Sequence, residues 1–108
     1  MNIKELTLEI VKFRNERDWE QFHNSKDLAL AISIEASELN ELFLWKNTED
    51  VDTVKLQEEL ADIFTFSLLL AHKHNLDINT IVLDKLKSNA LKYPVDKAKG
   101  TTKKYNEL

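Results

Sequence analysis

Two pairs of acidic residues stand where charge is unexpected. Glu35 and Glu38 follow directly on an uncharged run, and Glu59 and Asp62 repeat their three-residue spacing. Asp62 is the only charged residue between positions 60 and 71. Side chains three positions apart on a helix project from nearly the same face. Two like charges at the edge of an apolar region are costly unless one is protonated or a cation lies between them.

Such an arrangement favours the binding of a hard divalent cation. If the two helices pack antiparallel, the two pairs converge and present carboxylate oxygens from rigid elements. Mg²⁺ prefers oxygen ligands of this kind and Mn²⁺ accepts them, whereas the chain has no cysteine to hold zinc. The alternative is that the four carboxylates lie on helix surfaces and pair with lysines, and the residues alone leave both interpretations open.

Positioning these carboxylates requires long helices, and the composition favours them. The one glycine and the one proline, Gly100 and Pro94, both lie near the C-terminus. A β-rich domain needs turn residues throughout its length, so their absence from residues 1–93 indicates helices. Hydrophobic spacing and capping residues predict four helical segments, at about residues 2–22, 27–45, 51–75 and 78–92.

The predicted boundaries coincide with residues that begin or end helices. Asn24 followed by Asp27 resembles a capping box, and Asp77 is a suitable N-cap for the fourth segment. Asn75 can end the third segment, and the fourth stops before Pro94. Short connections between long helices favour antiparallel neighbours, so the predicted fold is an all-α domain of the four-helix-bundle type.

The apolar pattern also predicts an oligomer. Residues 28–34 carry no charge and residues 60–71 carry only Asp62, so both helices are apolar nearly all round. A helix of this kind is buried on all sides, and four short helices in one chain offer few such positions. We therefore expect one domain, residues 1–108 with a basic tail from about residue 95, completed by homo-oligomerisation as a dimer or tetramer.

Charge is distributed unevenly along the chain. Residues 1–84 hold 8 Lys and Arg against 17 Asp and Glu, whereas residues 85–104 hold 7 Lys against one Asp. An acidic body argues against a nucleic-acid partner, and the basic end suits either a small anion or a solvated tail. The chain shows no signal-peptide pattern and no stretch long enough to cross a bilayer, so we expect a cytoplasmic protein without a membrane partner.

Six short motifs stand out when the acidic pairs are read with their surroundings. They are Glu35-x-x-Glu38, Glu59-x-x-Asp62, Arg17-Asp18-Trp19-Glu20-Gln21-Phe22-His23, Glu38-Leu39-Asn40-Glu41-Leu42-Phe43-Leu44-Trp45-Lys46, Tyr93-Pro94 and Lys104-Tyr105-Asn106-Glu107-Leu108. Together they resemble the MazG-like nucleotide pyrophosphohydrolases, and within them the dCTP pyrophosphatase subgroup. The acidic motif is moderately specific alone, and the combination is strong. The resemblance runs from about residue 17 to the C-terminus.

This resemblance implies a metal-dependent hydrolase. The implied Mg²⁺ ligands and catalytic residues are Glu35, Glu38, Glu59 and Asp62. The family cleaves nucleoside triphosphates between the α- and β-phosphates, giving the monophosphate and pyrophosphate. Attack of water on phosphorus gathers negative charge that a divalent ion neutralises, and we expect Glu38 to orient or deprotonate the water. The expected substrate is dCTP or a related or modified dNTP, cleared from the nucleotide pool.

The resemblance also implies a nucleoside pocket. Trp19 and Trp45 fall in the motifs similar to that pocket, where an indole can stack on a base. Gln21 and His23 can form hydrogen bonds with the base or the sugar. Without the resemblance, each tryptophan is more often a core residue and the histidine more often an ordinary partly exposed one.

Two positions depart from the pattern of the subgroup. Phe66 is expected in the pocket, where the subgroup carries a tyrosine, so a hydroxyl near the substrate is lost. Ile10 likewise replaces a polar contact on the first helix. Base and sugar selectivity can therefore differ from that of the subgroup.

The fourth predicted helix carries candidate phosphate ligands. Lys85, Asn89 and Lys92 are spaced four and three residues apart, on roughly one face, and Tyr93 follows them. A lysine is a mobile point charge that suits a leaving pyrophosphate. The alternative, solvated lysines on an exposed face, has equal weight for Lys92.

Two functions of other classes remain as alternatives. A di-iron carboxylate bundle needs two Glu-x-x-His motifs, and the chain has only Glu20-x-x-His23, outside the acidic pairs. A non-catalytic helical dimer that senses nucleotides would bind them without turnover. That second alternative predicts nucleotide binding that survives the loss of Glu38.

Overall fold

The computed structural model describes all 108 residues and contains helices and no strands. The all-α fold predicted from the sequence is thereby confirmed. The α-helices are α1 (Ile3–Glu16), α2 (Ser25–Glu41), α3 (Thr53–Lys73), α4 (Ile78–Lys92) and α5 (Val95–Ala98). Two single-turn 3₁₀ helices lie at Glu20–Phe22 and Tyr105–Glu107.

The first helix is shorter than predicted, because it does not continue to Phe22. It ends at Glu16, and Asp18 adopts a left-handed φ of 54°. The backbone N–H of Trp19 donates to the Arg14 carbonyl at 3.1 Å, and the backbone N–H of Asp18 donates to the Asn15 carbonyl at 3.1 Å. These two bonds are the Schellman pattern of a helix C-terminus. Glycine usually occupies its left-handed position, but aspartate tolerates that conformation.

The caps of α2 and α4 are those predicted. Asn24 accepts the Asp27 N–H at 2.8 Å and donates to the Asp27 carboxylate at 2.8 Å. Asp77 accepts the Thr80 N–H at 3.0 Å and so begins α4 at the predicted residue. Helix α2 ends earlier than predicted, at Glu41, and a series of turns follows to the N-cap of α3, Asp52.

Helix α3 ends in the same way as α1. Asn75 has a φ of 55°, and the Leu76 N–H donates to the Ala71 carbonyl at 2.9 Å. Asparagine tolerates this left-handed conformation better than most residues do. The prediction that Asn75 ends the helix is confirmed.

The chain divides into two compact units, residues 1–76 and residues 77–108. In the first, α3 packs against both α1 and α2. Ser25, at the start of α2, lies 2.8 Å from His74 Nε2 at the end of α3, while Glu35 lies beside Glu59 in their middles. Since positions rise along α2 as they fall along α3, the two helices are antiparallel. The single-domain prediction stays a prediction.

The first unit buries few apolar side chains. The buried apolar residues are Leu28, Leu68, Leu69 and Ala71. Other apolar side chains of α2 and α3 are exposed, among them Leu30 at 54%, Ile34 at 50% and Phe64 at 62%. No helix has the length and apolar character needed to cross a bilayer.

The second unit contains α4 and the segment predicted to be a basic tail. That segment has structure: it carries α5 and the 3₁₀ turn at Tyr105–Glu107. Lys92 Nζ lies 5.1 Å from the centre of the Tyr105 ring, and Tyr93 packs edge-to-face on the same ring at 6.2 Å. Aromatic and cation–π contacts of this kind fold the C-terminal residues back onto the end of α4.

Candidate active site

Three glutamates from two helices meet on the first unit. Glu35 and Glu38 lie one turn apart on α2, and Glu59 faces them from α3. One carboxylate oxygen of each lies within 4.8 Å of the others. Glu35 and Glu59 are half-buried, whereas Glu38 is exposed. The antiparallel pairing of α2 and α3 thus produces the convergence that the spacing of the residues predicted.

The protein leaves part of this glutamate cluster unsatisfied. Glu35 Oε2 and Glu59 Oε2 are both buried and have no hydrogen-bond partner. Buried polar atoms without partners are rare in folded proteins, because each one keeps its desolvation penalty. These two unpartnered oxygens, with the nearby carboxylate of Glu38, form a donor set that fits a divalent cation such as Mg²⁺.

The protonation of the cluster is strongly perturbed. Burial, hydrogen bonding to Glu59 and Glu38, and the charges of Glu38 and Asp62 together raise the pKa of the Glu35 carboxyl to about 7. Burial also raises the pKa of Glu59, a rise that hydrogen bonding to Glu35 opposes and the charge of Glu38 reinforces. Like charges in a poorly hydrated site repel one another, so the cluster holds a proton more readily than free carboxylates do.

Asp62 lies one helical turn after Glu59 on α3. It is exposed and lies outside the group formed by the three glutamates. It remains close enough for its charge to raise the pKa of Glu35 and Glu59. Its side chain also lines the adjoining cavity, so Asp62 lies between the glutamate cluster and that cavity.

The cavity beside Asp62 has a volume of about 220 Å³ and is largely apolar. Trp19, His23 and Phe66, three of the residues predicted to bind the nucleoside, line it together. The other lining residues are Ile10, Phe13 and Arg14 from α1 and Thr65 and Leu69 from α3. Aromatic walls with a few polar groups are typical of small-molecule sites.

The rings in the cavity are held by one another. Trp19 packs edge-to-face on Phe13 at 5.9 Å, and His23 packs edge-to-face on Phe66 at 6.4 Å. Burial lowers the pKa of His23, and the Arg14 guanidinium adds to this. His23 is therefore neutral near pH 7, and its buried Nδ1 has no hydrogen-bond partner. The ring can exchange a hydrogen bond with a bound ligand.

Two predicted binding residues lie away from the cavity. The Gln21 amide donates to the Asp18 carbonyl at 3.0 Å and to the Asp18 carboxylate at 3.1 Å, so it closes the turn after α1. Trp45 follows α2 with a φ of 63° and is 94% exposed. It lines a separate hollow with Phe43. Roles for Gln21 and Trp45 in binding stay predictions.

The remaining predicted residues belong to the second unit. Lys85, Asn89 and Lys92 lie on α4, and Tyr93 is its C-cap. Lys92 and Tyr93 share contacts with the Tyr105 ring. A role for these four residues at the phosphates stays a prediction.

Sequence reasoning missed Arg14. It is 7% exposed and is the buried charged residue of the chain. A signal was present, because Arg14 follows the apolar Ile10 by four residues and so lies on the same face of α1. An arginine on a helix face that otherwise points inward marks a position where a charge has been retained in the interior.

Comparison with known proteins identifies the family of this chain. The MazG-like family model matches residues 30–108, so the chain belongs to the MazG-like family. It is similar to dCTP pyrophosphatase 1 from Bos taurus, 40% identical over 105 residues, and from Homo sapiens, 38% identical. Each alignment covers 90% of this chain and 62% of the relative, so the chain spans less than two thirds of the length of those relatives.

A solved structure has the same fold. The pyrophosphatase from Archaeoglobus fulgidus superposes with a TM-score of 0.79 and 33% sequence identity. The superposition covers 84% of this chain and 91% of that one. The arrangement of helices that brings the three glutamates together is thus shared with a protein described as a pyrophosphatase.

The perturbed glutamate cluster predicts an unusual pH dependence of stability. The pKa of Glu35 is about 7 in the folded chain, above its ordinary value of 4.5, so the folded state binds the extra proton. Without metal, the free energy of unfolding should fall as the pH rises from about 4.5 to about 7, because ionisation in the folded state is disfavoured. Urea unfolding in EDTA across this range measures it.

A matched variant isolates the contribution of Glu35 to this effect. Glu35→Gln removes the titrating group, so the free energy of unfolding should fall less with pH in the variant. The lowered pKa of His23 makes the free energy of unfolding rise with pH, and it does so in both proteins. Mg²⁺ should restore the stability of the wild type at pH 7.5 by mass action. If the free energy of unfolding has the same pH dependence in the wild type and the variant, the raised pKa of Glu35 is contradicted.

Proposed function

We propose that the chain hydrolyses (deoxy)nucleoside triphosphates to the monophosphate and pyrophosphate in a Mg²⁺-dependent reaction, with dCTP or a related or modified dNTP as substrate. Mn²⁺ is the expected substitute for Mg²⁺. The observation that carries the proposal is the cluster of three glutamates with two unpartnered buried oxygens, adjoining an aromatic cavity. The names of its relatives, dCTP pyrophosphatase 1 and pyrophosphatase, support the same reaction.

The glutamates divide into two roles. Glu35, Glu38, Glu59 and Asp62 would hold the metal, and Glu35 and Glu59 each offer it a buried oxygen that has no partner. A bound divalent ion supplies positive charge that neutralises the phosphoryl oxygens as the reaction proceeds. Glu38 is the exposed member of the cluster, so its carboxylate is the one that meets solvent and can orient or deprotonate the attacking water.

The cavity would position the nucleoside. Trp19 and Phe66 present aromatic surfaces to a base, and neutral His23 offers a hydrogen bond. Since Asp62 lines the cavity and its charge acts on Glu35, a base bound there places its phosphates toward the carboxylates. Water addition across the bond between the α- and β-phosphates then yields the monophosphate and pyrophosphate, with release of a proton.

Four residues of α4 are proposed to bind the phosphates of the substrate. Lys85 and Lys92 carry positive charge on one helix, with Asn89 between them as a neutral donor and Tyr93 at its end. Lysine suits an anion whose position changes during the reaction, because its charge sits on a flexible stem. We propose that these residues contact the departing pyrophosphate.

The functional form is proposed to be a homodimer or homotetramer. The exposed apolar residues Leu30, Ile34 and Phe64 lie on the two helices that carry the glutamates. Contiguous exposed apolar surface on a small protein marks an interface, and a second copy would cover these side chains. Light scattering after size-exclusion chromatography distinguishes a monomer from a dimer and a tetramer.

The proposed cellular role is removal of unwanted deoxynucleotides from the cytoplasmic pool. Free nucleotides, rather than nucleic-acid polymers or membranes, are the proposed partners, in keeping with the acidic first 84 residues. Both the compartment and the role stay predictions.

A panel of nucleotides tests the activity. Purified protein is incubated with dNTPs, NTPs and modified dCTPs, with Mg²⁺ or with EDTA, and pyrophosphate release is measured. We expect release that requires Mg²⁺ and is fastest with dCTP or a modified form of it. Nucleotide binding without release from any triphosphate would overturn the hydrolase proposal and leave a nucleotide sensor in its place.

A further inference from the structure

The cavity contains a charged group that the proposed reaction does not use. Arg14 lies on α1, one turn after Ile10, and lines the cavity with its side chain only 9% exposed. Burying a guanidinium removes it from water, which is costly unless other groups satisfy its donors. The partners of Arg14 therefore show whether its role is structural alone.

Those partners satisfy only part of the guanidinium. Nε donates to Asn15 Oδ1 at 3.0 Å, and Nη2 lies 3.6 Å from Glu20 Oε2. The Glu20 side chain is 69% exposed, so this ion pair is weak and screened by solvent. A guanidinium has five N–H donors in a planar fork, and these two contacts leave others without a protein partner.

The surrounding cavity limits what those donors can bind. Its volume of about 220 Å³ lies below the roughly 300–1,000 Å³ of pockets that enclose a drug-sized ligand. A single aromatic ring fits this volume better than an entire nucleotide does. Trp19 and Phe66 supply apolar walls, and the Thr65 hydroxyl already donates to the Ala61 carbonyl at 2.7 Å.

We infer that Arg14 is a specificity-determining residue that reads a base edge with two neighbouring hydrogen-bond acceptors, and that the base is cytosine. Cytosine presents O2 and N3 as adjacent acceptors, which a guanidinium contacts with two parallel hydrogen bonds. Uracil and thymine present an N–H at N3, which opposes a donor. Guanine also offers an acceptor pair, O6 and N7, but it is a two-ring base. The inference rests on the proposed nucleotide hydrolysis.

The experiment compares dCTP with dUTP, whose bases differ only at N3, an acceptor in cytosine and an N–H in uracil, and at the amino or carbonyl group on C4. The ratio of their kcat/KM values is measured with Mg²⁺ for wild type, Arg14→Met and Arg14→Lys. Arg14→Met keeps an apolar stem but removes the donors, and it should lower the ratio roughly ten- to hundredfold. Arg14→Lys should lose most of the ratio as well, because an ammonium lacks the planar fork.

Arg17→Met is the matched control. Arg17 follows Arg14 by three residues. It stacks over the Phe13 ring at 3.6 Å and does not line the cavity. Its substitution should leave the ratio unchanged. Equal losses with dCTP and dUTP in Arg14→Met would overturn the inference, because a structural residue affects both substrates alike. With dGTP assayed as a third substrate, a loss confined to dGTP would assign the acceptor pair to guanine and overturn the choice of cytosine.

Binding of the monophosphates separates this inference from the proposed activity. Calorimetric titration with dCMP and dUMP needs no turnover. If wild type hydrolyses no triphosphate, the hydrolase proposal fails, but a preference for dCMP that Arg14→Met abolishes still supports Arg14 as the reader of the base. Equal affinity for dCMP and dUMP in the wild type overturns it, whether or not the chain is a hydrolase.

Discussion

Replacing Glu35 by glutamine is expected to lower pyrophosphate release about 100-fold or more while leaving the metal-free protein at least as stable as wild type at pH 7.5. The loss of activity follows because the substitution removes a charge from the cluster that would neutralise the phosphoryl oxygens. The retained stability follows because the pKa of Glu35 is raised to about 7, so its ionised form is disfavoured in the folded chain. Initial rates with Mg²⁺ and urea unfolding in EDTA measure the two effects.

The opposite directions of these effects make the prediction specific. If the Glu35 carboxylate only held the helices together, its replacement would lower the stability and the activity of the protein together. Glu41→Gln serves as the matched control, because Glu41 is exposed on the same helix and lies outside the glutamate cluster. It should leave the rate unchanged. An active, destabilised Glu35→Gln protein would show that Glu35 is structural.

Replacing Trp19 by alanine is expected to lower kcat/KM for the preferred triphosphate by roughly ten- to a hundredfold. Trp19 is 44% exposed at the cavity and is held edge-to-face against Phe13 at 5.9 Å. Its ring is therefore oriented before a base arrives, and stacking on aromatic side chains contributes about 1–3 kcal/mol per base. Steady-state kinetics across a range of nucleotide concentrations measures the change.

The form of that kinetic change is also specified. Stacking on a base that does not react stabilises the ground state and the transition state alike, so KM should rise while kcat changes little. Trp19→Phe retains an aromatic surface and should lose much less. An unchanged KM in Trp19→Ala would show that the base binds away from the cavity.

The parts of this structure that local chemistry determines were predictable from the sequence. Asn24, Asp52 and Asp77 begin helices because each side chain accepts a backbone N–H in the first turn, and Asn75 ends one by adopting a left-handed φ. Asn24, Asn75 and Asp77 were recognised from residue type and position alone. The three-residue spacing of Glu35 and Glu38 likewise predicted that these two carboxylates lie on one face of α2.

The parts that depend on tertiary packing were not predictable in the same way. One local feature was also hard to predict: the first helix ends at Glu16, where Asp18 rather than a glycine takes the left-handed position. The position of Asp62 beside both the glutamates and the cavity depends on how α3 packs against α1 and α2. The same packing buries Arg14, whose charge in the sequence is typical of a solvated face.

The identity of the products formed from dCTP tests the central claim most directly. Protein and dCTP are incubated with Mg²⁺, and the phosphorus-containing products are resolved by ³¹P NMR, with EDTA as the control. Hydrolysis by the glutamate cluster predicts dCMP and pyrophosphate in equal amounts, formed only with the metal. Formation of dCDP and inorganic phosphate, or products that appear equally in EDTA, would contradict it.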